Sequence, residues 1–211
     1  MLLRFKVSGF LPLASISLVL IIIGAAFQTL TIVIPPSRVL LVPLPVFAAL
    51  PAAVLVGYIG ANEPKILART AVRNLSLRRL LEQCLATVII ICTALLVANL
   101  QPQGNLIAGL RDFIGLWGLA GVARAIMPAK SAWFLPFALF ATSVVAGTNG
   151  QSIAWWAWLV APNDNQSALA AAGIAAVIGA IAVAADDARG RARVPVERAV
   201  GLVGTRRPVD A

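Results

Sequence analysis

Basic residues are concentrated in a polar segment, residues 62–83, that separates two long apolar segments. Lys65, Arg69 and Arg73 recur every four residues, so on a helix they form one basic stripe. Glu63 precedes the stripe, and two further arginines follow it. The spacing predicts a short amphipathic helix that acts through ion pairing. It would either dock onto a partner or anchor the chain to anionic lipid headgroups.

A second pair of charges, Arg111 and Asp112, lies several residues inside an apolar segment. Ionised groups at such a depth are costly unless they are paired or hydrated. Consecutive residues point about 100° apart on a helix, so each side chain is expected to find a partner on another helix. The pair is then either a polar point in a translocation pathway or a lock between helices. The alternative is that both side chains extend to the nearby membrane surface.

Other catalytic chemistry has little basis in this sequence. The chain has no histidine, which excludes histidine-dependent zinc sites, Ser-His-Asp triads and haem ligated by histidine. It lacks the G-x-x-x-x-G-K-[ST] phosphate-binding loop, and its eight acidic residues form no spaced cluster within an apolar segment. Cys84 and Cys92 lie together in one apolar segment, which is typical of buried packing residues. We therefore predict no enzyme activity, no cofactor and no metal site.

The composition is that of an all-α integral membrane protein. Of its 211 residues, 60% are hydrophobic and only 12% are charged, whereas soluble domains are about 25% charged. The mean hydropathy is +0.92. Because one crossing needs about 20 apolar residues, the length suits roughly five to seven spans. The net charge of +9 would fit a nucleic-acid partner, but the cations flank apolar segments instead of covering a soluble surface.

Six apolar segments are predicted to cross the membrane, with the basic amphipathic helix between the second and the third. They are about residues 11–34, 39–60, 80–100, 106–126, 132–146 and 167–185. Residues 151–160, with the sequence QSIAWWAWLV, are too short to cross, and their tryptophans favour the headgroup region. They predict an interfacial or re-entrant helix before the sixth span. Residues 1–185 then form the transmembrane domain, and residues 186–211 form a basic tail.

Loop charges predict the orientation of these spans. With the amino terminus in the cytoplasm, the cytoplasmic segments hold 15 lysine and arginine residues, and the external loops hold only Arg38. Because positive charge is retained on the cytoplasmic side, both termini and the basic segment are predicted to be cytoplasmic.

Small residues recur along two of the predicted spans. They are Gly109, Gly115, Gly118 and Gly121 in the fourth span, and Ala172, Ala176, Gly179, Ala180 and Ala184 in the sixth. Small residues at such spacing let helices approach closely. They predict tight helix packing and hint at a dimer.

This order of features resembles the exporter-type permeases of bacterial ABC transporters, six-span subunits whose ATPase is a separate chain. The likeness lies in the basic lead-in, the two spans, and the loop EPKILARTAVRN that begins at Glu63 and contains Arg69 and Arg73. The later stretch WWAWLVAPND, from Trp155 to Asp164, before a final span of small residues resembles small actinobacterial members.

The resemblance implies a mechanism and a set of partners. In such permeases a helix between the second and third spans fits a groove on the cytoplasmic ATPase. The residues at that place here are Glu63, Lys65, Arg69 and Arg73. A second permease subunit, alike or different, would complete the pathway among membrane lipids. The chain would lie in the bacterial inner (plasma) membrane.

Two alternatives belong to other functional classes. One is a six-span binding or immunity protein, such as the substrate-binding component of an energy-coupling-factor importer. It would have a ligand pocket open to the outside and no ATPase contact through residues 62–83. The other is a structural subunit of a larger membrane complex.

Overall fold

The computed structural model describes residues 10–27, 30–33, 41–59, 75–98, 106–147, 153–154 and 156–192. This part of the chain is helical apart from one short hairpin. Its helices are α1 (Phe10–Ala26), α2 (Leu44–Gly57), α3 (Leu75–Ala98), α4 (Leu106–Ile126), α5 (Phe134–Ala146) and α6 (Gln166–Ala192). The strands β1 (Thr31–Val33) and β2 (Leu41–Pro43) lie between α1 and α2. Two 3-10 turns, Ala129–Ser131 and Trp158–Val160, precede α5 and α6.

Three of these helices are long and apolar enough to cross a membrane: Leu77–Val97 in α3, Leu106–Ile126 in α4 and Gln166–Ala185 in α6. The helices α1, α2 and α5 are also apolar, but they contain only 17, 14 and 13 residues. At 1.5 Å per residue they are about 26, 21 and 20 Å long, less than the hydrocarbon thickness of about 30 Å. Each of the six predicted spans therefore overlaps one helix, and three of these helices reach the length of a crossing.

The first two predicted spans differ most from the structure. Within residues 11–34 the helix ends at Ala26, and β1 follows; residues 39–60 include β2 before α2 begins. The strands pair antiparallel, with Ile32 opposite Val42. The residues of β1 are β-branched, which favours a strand over a helix. Pro45 occupies the first turn of α2, where its missing N–H costs least.

The helix α4 is at the centre of the fold. It packs most extensively against α6 and α2, and α2 packs in turn against α1. Phe113 and Leu116, near the middle of α4, are completely buried. By contrast, α3 and α6 have exposed leucine, isoleucine and valine side chains along their lengths. A central helix with charged residues toward both of its ends, packed among apolar neighbours, is the arrangement that positions the charged residues described below.

Small residues bring α4 and α6 into direct backbone contact. A Cβ atom added at Gly118 would overlap the backbone of Ala175, and one added at Gly179 would overlap the backbone of Gly118. One added at Gly121 would lie 2.9 Å from the carbonyl oxygen of Gly179. The small-residue rows predicted from the sequence thus meet each other within one chain. The row on α6 that hinted at a dimer is occupied by α4.

Contacts along the helices also give their relative directions. Gly109 and Ala120 of α4 approach Pro45 and Gly57 of α2, in that order, so α2 and α4 run parallel. The contacts between α4 and α6 advance along both helices together in the same way. The helices α2, α4 and α6 therefore point in one direction.

The helix α1 points in the opposite direction. A Cβ atom at Gly24 would lie 2.9 Å from the Cβ atom of Ala48, whereas Ser17, earlier in α1, donates a hydrogen bond to the carbonyl oxygen of Ala52 over 3.2 Å. Positions that come earlier in α1 thus meet positions that come later in α2. The hairpin of β1 and β2 makes this reversal between α1 and α2.

Candidate functional site

The buried charges of α4 form a compact group with the segment that precedes α6. Arg111 is 4% exposed and Asp112 is fully buried. The Nε atom of Arg111 donates a hydrogen bond to Oδ1 of Asp112 over 2.9 Å. Its Nη1 and Nη2 atoms donate to the carbonyl oxygens of Pro162 and Ala161 over 3.1 and 3.0 Å. We call these four residues the Arg111 cluster.

The Arg111 cluster differs from what the sequence predicts for this pair. Separate partners on other helices were expected for Arg111 and Asp112, but the two side chains pair with each other. The long arginine side chain folds back onto its neighbour's carboxylate, and its remaining donors bind carbonyls of a non-helical segment. Extension to the surface is wrong for both, because their side chains are only 3% and 0% exposed. A role in a pathway and a role as a lock between helices both stay predictions.

The predicted interfacial helix at residues 151–160 is wrong in the part that the structure describes. That part contains only the 3-10 turn Trp158–Val160. Trp158 is 7% exposed, and its indole ring occupies the space that a side chain at Gly115 would fill. The headgroup preference of tryptophan is thus overridden by packing against a glycine on α4. Trp156 is half-buried, and Trp155 lies outside the described residues.

A second polar group lies at the opposite end of α4. Arg124 donates a hydrogen bond from Nη1 to the carbonyl oxygen of Gly57 over 2.6 Å. Gln83, on α3, donates from Nε2 to the carbonyl oxygens of Gly57 and Ile59, both over 3.2 Å. The last carbonyls of a helix lack partners within it, and a cation favours that end of the helix dipole. We call these four residues the Arg124 cluster; it joins α2, α3 and α4.

The predicted docking residues lie next to the Arg124 cluster in the sequence. Glu63, Lys65, Arg69 and Arg73 fall outside the described residues. The described chain stops at Ile59 before them and resumes at Leu75 after them. The last two cations of the basic segment, Arg78 and Arg79, lie within α3, and Arg78 pairs with Glu82 over 2.8 Å. The structure therefore describes residues 75–83 of the basic segment, and the stripe lies outside the described residues.

The helix α4 connects the two clusters. Arg111 and Arg124 are 13 positions apart, which is about 20 Å along a helix. Glycine and apolar side chains fill the interval, and most of them are buried. A displacement at one end of such a packed helix is carried to the other end, because the helix moves as one body.

Comparison with known proteins identifies no relative. Neither the protein-family models, nor the curated proteins, nor the solved structures contain a match to this chain. The resemblance to ABC permeases therefore rests on the sequence features alone. The geometry of the Arg111 cluster and the Arg124 cluster is the structural basis for a functional hypothesis.

Two residues of the Arg124 cluster were not singled out by the sequence. Gln83 is the last polar residue before the apolar part of α3, and Arg124 lies in the last turn of α4. Polar residues at the ends of apolar helices are usually solvated. Gln83 and Arg124 differ from such residues because they bind carbonyls at the end of α2, a contact that the sequence does not indicate. The signal available in the sequence was that both lie near the same predicted membrane face.

Replacing Gln83 with leucine should loosen the end of α2. The substitution removes two hydrogen bonds to the carbonyls of Gly57 and Ile59. A net loss near 1 kcal/mol corresponds to about five-fold faster amide exchange at Ile59, which hydrogen–deuterium exchange with mass spectrometry measures. Gln166→Leu, at an exposed position in α6, is the control and should leave that exchange unchanged. Equal rates in Gln83→Leu and the wild type would contradict the assignment.

Proposed function

We propose that the chain is a membrane protein of six crossings that serves as the transmembrane permease subunit of an ABC transporter of the exporter type. It would pair with a second permease subunit, and a separate cytoplasmic ATPase would drive it. The single observation that carries the proposal is the hydrogen bonding of Gln83 and Arg124 to the end of α2. These bonds connect the predicted ATPase-docking segment to the core of the bundle.

The helix directions support six crossings. In a chain that crosses at each of six helices, the second, fourth and sixth run parallel, and the first runs opposite to them. The contacts of α1, α2, α4 and α6 have these directions. The hairpin lies between the short helices α1 and α2, and 3-10 turns precede α5 and α6. With the predicted orientation, the Arg124 cluster is cytoplasmic and the Arg111 cluster is external.

The Arg124 cluster supports a coupling role for residues 62–83. The described chain ends at Ile59 before this segment and resumes at Leu75 in α3, where Gln83 donates a hydrogen bond to the carbonyl oxygen of Ile59. A force applied to the segment would therefore act on α2 and α3 together, and through Arg124 on α4. ATP-driven closure of the ATPase pair would move the segment, and α4 would transmit the movement to the Arg111 cluster.

Charge reversal of the basic stripe tests the proposal. An affinity-tagged chain is purified from its native membrane in mild detergent, and the bound ATPase is quantified by native mass spectrometry and by ATP hydrolysis. The wild type should retain an ATPase subunit stoichiometrically. Arg69→Glu with Arg73→Glu should reduce its retention by about ten-fold or more, because an attraction becomes a repulsion.

The matched control for this test is Lys130→Glu, which reverses an exposed cation predicted to lie on the same side of the membrane. It should leave the retained ATPase unchanged. Full retention in the doubly reversed variant, or no ATPase with the wild type, would exclude docking through this stripe. A small molecule retained by a chain without an ATPase would favour the importer-component alternative.

A further inference from the structure

Two fully buried residues, one on α4 and one on α5, each have a side-chain oxygen without a hydrogen-bond partner within the described chain. One is Oδ2 of Asp112, whose Oδ1 atom is already bound by Arg111. The other is Oγ of Ser143 on α5. Both residues are 0% exposed. Buried polar atoms in folded proteins nearly always have a partner, so each oxygen calls for one.

The helical geometry of α4 shows which neighbour Asp112 faces. At about 100° per residue from Gly109, Gly118 lies near 180°, Gly115 near 240° and Asp112 near 300°. Gly109 faces α2, Gly118 faces α6, and Gly115 faces the 3-10 turn Trp158–Val160. Asp112 therefore points into the sector between this turn and α2.

The helix α5 occupies that sector. Phe140 of α5 makes an edge-to-face contact with Phe47 of α2, with ring centroids 5.3 Å apart. At the end of α5, a Cβ atom added at Gly147 would lie 2.5 Å from the Cβ atom of Ala157, next to the 3-10 turn. The helix α5 also contacts α4 directly. Ser143, one turn beyond Phe140, is fully buried, so we infer that its hydroxyl lies on the side of α5 that faces the bundle.

We propose that one water molecule is bound between α4 and α5, donating a hydrogen bond to Oδ2 of Asp112 and bonding to Oγ of Ser143. A carboxylate oxygen only accepts, and a hydroxyl both donates and accepts, so water satisfies both atoms. The Arg111 guanidinium already balances the charge of Asp112. A metal cation at the same place would leave a net positive charge in apolar surroundings, which is costly. The water thus connects α5 to the central helix, α4, through hydrogen bonds.

Ser143→Ala tests the site by the sign of its effect. If the hydroxyl binds a water that also serves Asp112, its removal should lower the melting temperature by roughly 2 to 4 °C. If the hydroxyl has no partner, its removal should leave the melting temperature unchanged or raise it, because an unsatisfied buried group is lost. That second outcome would overturn the proposal. A melting temperature that rises with sodium concentration would also overturn it, in favour of a cation.

The control variant is Thr142→Val, which removes the neighbouring hydroxyl. Thr142 is exposed, and its hydroxyl bonds only to carbonyls of α5 itself, those of Ala138 and Leu139. Its replacement should shift the melting temperature much less than Ser143→Ala. Equal shifts in the two variants would mean that any hydroxyl on α5 has this effect, and they would overturn the proposal.

Hydroxyl-radical labelling detects the water in the unmodified protein. Radicals generated from a bound water label the side chains around it even where bulk solvent has no access. Phe140, one turn from Ser143, should be labelled more strongly than its 6% exposure explains, and more strongly than Phe113, a fully buried phenylalanine that lies about 100° from Asp112 on α4. Labelling of Phe140 no higher than that of Phe113 would exclude a water at this site. A direct hydrogen bond between Asp112 and Ser143, with no water between the two side chains, would also exclude it.

Discussion

Replacing Arg111 with leucine is expected to lower the free energy of unfolding by about 3 to 5 kcal/mol, the largest effect of any single substitution proposed for this chain. The substitution leaves the fully buried carboxylate of Asp112 without its cation. It also removes the hydrogen bonds that the carbonyl oxygens of Ala161 and Pro162 accept from Arg111, although Pro162 keeps the bond from the Asn165 N–H. Equilibrium unfolding of the purified protein in mixed detergent micelles measures the change.

Two further variants distinguish the effect of an uncompensated buried charge on stability from the effect of losing the arginine side chain. In Arg111→Leu with Asp112→Asn the uncompensated charge is gone, so much of the stability should return. Arg78→Leu breaks the other ion pair, in which the arginine side chain is 37% exposed, and should cost below about 1 kcal/mol. A loss in Arg111→Leu as small as in Arg78→Leu would show that the Arg111 cluster does not stabilise the fold.

Replacing Gly118 with alanine is expected to be the second most damaging change. Its Cβ atom would overlap the backbone of Ala175 on α6, and backbone atoms cannot rotate away as a side chain does. The two helices must separate, so the free energy of unfolding should fall by about 1 to 3 kcal/mol. The same detergent unfolding experiment measures it.

Gly173 provides the matched comparison for this prediction. It is an exposed glycine of α6, and a Cβ atom there would meet nothing within 4 Å. Gly173→Ala should be neutral or stabilising by up to about 1 kcal/mol, because alanine favours a helix over glycine. Equal stability of Gly118→Ala and Gly173→Ala would contradict the close packing of α4 and α6.

The sequence predicts the helices better than it predicts their connections. The bounds of α4, Leu106–Ile126, coincide with those of the predicted fourth span, because only three charged residues interrupt the glycine and apolar residues between Asn105 and Pro128. The helix α6 continues seven residues beyond residue 185, since no proline interrupts it before Pro195. The hairpin escaped prediction because the pairing of β1 depends on β2, and hydropathy does not distinguish a buried strand from a helix.

The candidate site was only partly predictable, because its contacts also depend on segments that are distant in the sequence. Charge inside an apolar segment singled out Arg111 and Asp112, and the structure finds both buried. Arg111 also binds the backbone carbonyls of Ala161 and Pro162, some 50 residues away. Every residue has a backbone carbonyl, so the sequence does not indicate which carbonyl will accept such a bond. The same is true of Gln83, whose role depends on the carbonyls at the end of α2.

The central claim is that the bundle crosses the membrane at each of the helices α1 to α6, with the Arg111 and Arg124 clusters on opposite faces. Labelling of single cysteines in intact cells tests it. Cys84 and Cys92 are first replaced by alanine. A single cysteine is then placed at Lys130 or at Asp164, which are exposed positions before and after α5, the shortest of the six described helices. A membrane-impermeant maleimide should label Asp164→Cys in intact cells and Lys130→Cys only after permeabilisation. Labelling of both positions from the same side would contradict the crossing by α5, and with it the separation of the two clusters and the transport function built on it.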